Sequence, residues 1–180
     1  YEDCPWREQA QYTMDSRTQM LCGYYAFDNP ECALSAIRLM AAGQKENGLF
    51  ELCFPAEVPI TIPSFSLAFT TVVLEYTQFA KDCALAKEML PVIEKMLGFF
   101  LSRLDGDGLF KTVSEEGIWH FYEWAGALDG AFFELDGSKK YRNEYDSLIN
   151  AFLSIALDNT AKLFSVTGEY DKAIYYQDIR

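Results

Sequence analysis

Apolar and polar residues alternate at helical spacing along almost the whole chain. A stripe that includes Met14, Cys22 and Tyr25 predicts a helix from about Met14 to Phe27, stopped by Asp28-Asn29-Pro30. Pro30 suits the first turn of a second helix reaching about Ala42, where Gly43 ends it. A loop holding Pro55, Pro59 and Pro63 follows, and Ser64 is placed to cap a helix from about Phe65 to Ala80. A fourth helix is expected from about Ala84 to Leu104, kinked at Pro91. A short helix is expected over Trp124 to Leu135, a long one over about Tyr141 to Val166, and a last one opens near Glu169-Tyr170. The fold class is therefore all-α, in a single helical domain over residues 1–180. The chain opens at Tyr1 without an initiator Met and closes at Arg180 within a helical pattern, so a piece of a longer protein is expected.

One internal echo bears on architecture. Asn47-Gly48-Leu49-Phe50 returns as Asp107-Gly108-Leu109-Phe110, sixty positions later. Each copy follows a helix and precedes an irregular loop and another helix. Thr167-Gly168-Glu169 is a weaker third candidate. A repeat of this size built from paired helices points to stacked helical hairpins; two unrelated Gly turns at helix ends are the plainer account. Asp105-Gly106-Asp107-Gly108 has the opening of a calcium loop, but Leu109 and Phe110 intrude among the ligand positions, so it is read as a turn.

Composition narrows the function classes. Half the residues are hydrophobic, which suits a globular core, and the net charge is −12. An acidic chain of this kind disfavours nucleic acid and anionic membranes as partners, and no apolar run reaches transmembrane length. Aromatic residues make up 16% of the chain, which suits a carbohydrate-handling cleft and equally a large helical core. The five cysteines are odd in number and form no Cys-x-x-Cys pair; buried thiols in a reducing compartment are the simplest reading. With a single histidine, His120, no metal or other cofactor is expected.

The densest chemistry lies in Asp3-Cys4-Pro5-Trp6-Arg7-Glu8 and continues through Tyr12 to Asp15. Glu8, Tyr12 and Asp15 share a face if this stretch is helical. Asp3 and Arg7 precede them on a turn set by Cys4-Pro5. Carboxylates beside rings are what sugar chemistry requires: rings stack on C–H faces, acids take hydroxyls, and one acid protonates the leaving oxygen. Glu8 suits the proton donor, with Trp6 and Tyr12 drying its surroundings and Asp3 and Asp15 adding repulsion. Arg7 is placed to hold the neighbouring carboxylates. A surface Arg7–Asp3 pair with Glu8 in solvent is the competing account.

The Asp3-to-Asp15 motif resembles the start of the catalytic domain of bacterial α-L-rhamnosidases of glycoside hydrolase family 78. The resemblance extends to Ile62-Pro63-Ser64-Phe65-Ser66-Leu67-Ala68, to Phe121-Tyr122-Glu123-Trp124, and to Tyr145-Asp146-Ser147-Leu148-Ile149-Asn150-Ala151. It implies part of an (α/α)6 toroid, six helical hairpins in a ring with flanking β-domains, and inverting hydrolysis of terminal α-L-rhamnose from glycosides. Matched residue by residue, Glu8 takes the general acid place; Asp3, Arg7 and Asp15 take sugar-binding places. Tyr12 and Phe65 stand where the family often has Trp, and Trp124 looks like another aromatic wall. The spacing from Asp3 to Asp15 is one residue shorter than in many members. The general base lies far downstream in the family, beyond Arg180; Glu123 and Glu134 are read as helix surface or wall. Trp119 and His120 are placed at the cleft or in the core. A non-catalytic carbohydrate-binding six-hairpin domain is the alternative, and a plain helical interaction repeat has no need of the first motif. The compartment, cytoplasmic or periplasmic in a bacterium, stays open.

Overall fold

The computed structural model describes residues 1–126, 128–130 and 145–180. Six helices appear among them: α1 (Thr13–Phe27), α2 (Glu31–Ala42), α3 (Pro63–Ala80), α4 (Ala84–Leu101), α5 (Ser147–Thr167) and α6 (Tyr170–Asp178). Among the described residues there is no strand, and loop segments meet only through isolated bridges. The helices pair in chain order as three hairpins, α1 with α2, α3 with α4 and α5 with α6. Helix α3 lies between α1 and α5, while α2 and α4 sit behind this row.

Packing follows from that order. As the central element, α3 is apolar on most of its sides and buried along most of its length, from Leu67 through Phe69, Val72 and Val73 to Tyr76. It meets Ile93, Met96 and Phe100 of α4 and Leu153, Leu157 and Phe164 of α5 in one core. Fully burying a side chain of this size stabilises by roughly 1.5–3 kcal/mol. Polar ties fix the row. Arg17 of α1 grips Glu75 of α3 through two nitrogens, at 3.0 and 2.5 Å. Asn159 of α5 donates to Thr71 of α3 at 2.9 Å.

The sixty-residue echo is a true structural repeat. After α2, the amides of Lys45 and Gly48 bond to Leu49 and Lys45 carbonyls; after α4, those of Asp105 and Gly108 bond to Leu109 and Asp105. The bridges Gln44–Phe50 and Leu104–Phe110 close the two turns identically. Each turn drops a phenylalanine, Phe50 or Phe110, into the core. The Asp105 carboxylate takes the amides of Asp107 and Leu109, as a turn aspartate does. Gly168 is different in kind: it caps α5 inside a hairpin, its amide bonding to Phe164 and Ser165.

Several expected boundaries move. Helix α3 begins at Pro63, with Ile62 as cap; Ser64 Oγ donates to the Phe121 carbonyl at 2.9 Å instead of capping. Proline at the first helical position leaves no amide there to satisfy, and its fixed φ suits the first turn. Helix α4 ends at Leu101, and Pro91 lies inside it. Residues 124–126 and 128–130 form turns and bends rather than the expected short helix, and the rest of that expectation lies outside the described residues, as does Glu134. Helix α5 starts at Ser147, capped by Asp146, which accepts the Leu148 amide at 2.8 Å; the start expected at Tyr141 falls outside the described residues. The cysteines are not uniformly buried: Cys53 is, but Cys22 and Cys32 are exposed. No described helix is long and apolar enough to cross a membrane.

Candidate functional site

The starts of α1, α3 and α5 gather at one end of the hairpins. Tyr12, the residue before α1, and Ile62 and Phe65, at the start of α3, join Leu52, Trp119 and Phe121 in a second apolar cluster. Tyr122 donates its hydroxyl to Asp146, the cap of α5, at 2.9 Å. The segment carrying Trp119 and Phe121 is stitched to the loop before α3: Thr61 and Trp119 amides bond to Gly117 and Thr61 carbonyls at 2.8 and 2.9 Å. This end therefore has a floor of rings. Trp124 lies on it, 5.0 Å from the Phe121 ring and 5.7 Å from that of Trp119, with Phe65 edge-on to Phe121 at 6.2 Å. Trp124 remains 69% exposed, so most of its indole is open to a ligand.

Residues 1–12 cross this end without forming a helix. Helix α1 begins only at Thr13, and Gln9 takes a left-handed conformation, φ 51°. Glu8, Tyr12 and Asp15 therefore do not share a helical face. They still meet, by another route. The Asp3 carboxylate accepts the Ala10 amide at 3.0 Å, and the Asp3 amide bonds back to the Ala10 carbonyl at 2.9 Å. That loop closure turns Glu8 toward Tyr12, whose hydroxyl donates to Glu8 at 2.7 Å. Arg7 pairs with Glu8 at 2.6 Å, not with Asp3 or Asp15 as expected. Trp6 is 91% exposed and does not shield Glu8.

The electrostatics separate the acids. Desolvation pushes Asp3 up, but hydrogen bonds from the Cys4 side chain and from the Ala10 and Cys4 amides outweigh it and hold the carboxyl below its ordinary value. Asp15, in the first turn of α1, is pushed upward, first by desolvation and then by the charges of Asp3, Glu8 and Glu123. Its surface is nonetheless open to solvent. Tyr12 is pushed well up by desolvation and its bond to Glu8, and Cys53 beside it by desolvation and the charges of Glu51, Glu8 and Asp3.

Six of the seven residues singled out from the sequence, namely Asp3, Glu8, Tyr12, Asp15, Phe65 and Trp124, come together here, with Arg7 attached through Glu8. Trp119 and His120 are buried: the indole N–H donates to the Asp129 carbonyl at 2.7 Å, and His120 Nε2 meets the Val113 carbonyl at 2.9 Å. Glu123 is the residue that sequence reasoning set aside. Its charge reaches Asp15, and its place beside Trp124 was the available signal. Among the described residues no group of three or more histidine, cysteine or acidic side chains is arranged to hold a metal ion.

Comparison with known proteins gives this arrangement a context. No curated protein matches the chain. Solved structures share its fold, two rhamnosidases among them. One is a GH78 family rhamnosidase of Bacillus sp. GL1, with a TM-score of 0.82 at 23% identity over 98% of this chain and 17% of that one. The other is a rhamnosidase from Klebsiella oxytoca with rhamnose bound, with a TM-score of 0.77 at 22% identity over 99% of this chain and 32% of that one. The chain thus spans a third or less of the length of these proteins. Residues 1–180 match the bacterial α-L-rhamnosidase 6 hairpin glycosidase domain, and the all-α hairpins described above are those of that fold. The chain therefore belongs to the six-hairpin glycosidase family of bacterial α-L-rhamnosidases.

Proposed function

We propose that this chain supplies one wall of the sugar site of an inverting α-L-rhamnosidase, with Glu8 as general acid. The observation that carries the reading is the convergence of Asp3, Glu8 and Asp15 with the rings of Tyr12, Phe65 and Trp124 at one end of the hairpins. A deoxy-sugar needs both partners. Its hydroxyls want charged acceptors, and its C–H faces and methyl group want rings. Asp3, held ionised, accepts hydroxyl hydrogen bonds, and Arg7 donates them. Trp124 and Phe65 form the stacking wall, while Tyr12 both packs and donates.

In this arrangement the Glu8 oxygens are engaged by Arg7 and by Tyr12. Proton delivery to a glycosidic oxygen requires exchanging one of these contacts for the substrate. The second carboxylate of an inverting pair stands about 6.5–9.5 Å from the first, with water between them. We assign that base to another part of the six-hairpin domain rather than to Glu123. The test is Glu8→Gln in the complete protein. Turnover of α-L-rhamnosides with poor leaving groups should fall by about 10²–10⁴-fold, with rhamnose binding kept; unchanged turnover would reject the assignment. Rhamnose binding without any turnover by the complete protein would favour a carbohydrate-binding domain instead.

A further inference from the structure

We infer that Cys4 is a positioning residue for this site: its thiol holds the peptide of Glu8 and so fixes where that carboxyl points. The first motif, Asp3-Cys4-Pro5-Trp6-Arg7-Glu8, carries a cysteine that the sugar chemistry leaves without a task. The structure gives it one. The Glu8 amide donates to Cys4 Sγ at 3.4 Å, within reach of a sulfur acceptor. The Gln9 amide donates to the Cys4 carbonyl at 3.2 Å, and the Ala10 amide to the Asp3 carboxylate at 3.0 Å. The amides of residues 8, 9 and 10 are thus taken by two adjoining residues, and Cys4 takes both of the first pair.

Helix α1 begins only at Thr13, so no helical ladder supplies these amides with partners. Side-chain acceptors close by in sequence hold such turns instead. The turn is closed from its other side as well, where Gln9 Nε2 donates to the Pro5 carbonyl at 2.8 Å. Glu8 therefore has two anchors, its peptide and its carboxylate. Arg7 bonds to the carboxylate, but the Arg7 side chain is 77% exposed, and a pair so open to water is a weak tether. The peptide bond to sulfur is what remains when substrate displaces Arg7 or Tyr12 from the Glu8 oxygens.

The same thiol also serves Asp3. A hydrogen bond from the Cys4 side chain is among those that hold the Asp3 carboxyl below its ordinary value. A thiol both donates and accepts, so one sulfur can tie the two acids into a single unit. A proton donor works only within hydrogen-bond reach of the leaving oxygen, so a shifted Glu8 peptide costs rate rather than affinity.

Two substitutions test this: Cys4→Ala removes the acceptor, and Cys4→Ser restores one. The first readout needs no sugar. Hydrogen exchange at the Glu8 amide, followed by mass spectrometry with fragmentation, should be about fivefold faster in Cys4→Ala, the worth of one hydrogen bond. Cys4→Ser should exchange close to the unmodified rate. Unchanged exchange in Cys4→Ala, or equal acceleration in both variants, overturns the lock. The second readout is turnover by the complete protein, and this arm rests on the reading of Glu8 as general acid. Cys4→Ala should lower kcat about fivefold for α-L-rhamnosides with poor leaving groups, with KM kept. Activated aryl rhamnosides, whose leaving oxygen needs no proton, should be turned over at the unmodified rate. Equal losses on both substrates, or a loss confined to KM, overturn the positioning role. Cys4→Ala added to Glu8→Gln should cost nothing more, because no acid is left to aim; a further loss counts against the role. Full activity in Glu8→Gln alone would reject the general acid, while the exchange rates would still decide whether Cys4 holds that peptide.

Discussion

His120 shows how a side chain beside a site serves the fold. It is buried on the loop that carries the aromatic floor, its Nε2 against the Val113 carbonyl. Burial holds its pKa below the ordinary imidazole value, outweighing the Val113 bond and the Asp146 charge, which push the other way. A base depressed in the folded state stays neutral there while the unfolded chain still takes up the proton. Its contribution to stability is therefore complete above the unfolded value, about pH 6.5, and is lost as pH falls through the folded one. Urea unfolding should show lower stability at pH 5.5 than at about pH 7.5. His120→Gln, which keeps a donor for Val113 and cannot titrate, should lessen that difference; an identical pH dependence in both proteins would refute the argument. At this scale the residue pattern set Asp3, Tyr12 and Asp15 together, and the family resemblance added Trp124. The pattern mispaired Arg7 and gave Trp6 the task of drying the surroundings of Glu8, because neither a turn's exit direction nor a ring's exposure is written in residue type.

At the scale of elements, the twin turns after α2 and α4 form a built-in control. Gly48 and Gly108 both take left-handed backbone, at φ 96° and 78°. A methyl group added at Gly108 meets open space, whereas one at Gly48 strikes the Lys95 carbonyl of α4. Gly108→Ala should cost about 1 kcal/mol, for the strained conformation alone. Gly48→Ala should cost about 3 kcal/mol or more, because a backbone atom cannot move aside. Equal losses in denaturant unfolding would mean that the first turn gives way freely. This echo was visible in the sequence because a turn that ends a helix and inserts a phenylalanine needs the same four residue types each time. The helix boundaries were legible where Gly or Asp-Asn-Pro punctuates them. They were misread where tertiary contacts decide, as when Ser64 leaves its expected capping role for the Phe121 carbonyl. The shared face proposed for Glu8, Tyr12 and Asp15 failed for a related reason: the Asp3–Ala10 closure holds the chain out of helix until Thr13, yet brings Glu8 to Tyr12 by a turn.

For the molecule as a whole, three hairpins of a six-hairpin domain leave apolar surface at both ends of the row. On the first hairpin Tyr25 and Phe27 are each 80% exposed, and an apolar groove of about 910 Å³ runs between α1 and α2 past Cys22, Phe27 and Leu39. On the last, Ile174 and Tyr175 of α6 and Val166 of α5 are more than half exposed. In a chain with this much acidic charge, scattered apolar residues need no account, but groups facing outward from the two end hairpins do. Charge repulsion opposes association and apolar burial favours it, so salt decides between them: at high ionic strength the repulsion is screened while burial is undiminished. The 180-residue polypeptide, prepared by itself, should therefore bind a hydrophobic dye and sediment as larger species when salt is raised. Tyr25→Ser with Ile174→Ser should reduce both effects. A dye-silent monomer at high salt would show that the end hairpins are satisfied as they stand, and that the row of three is a self-sufficient unit.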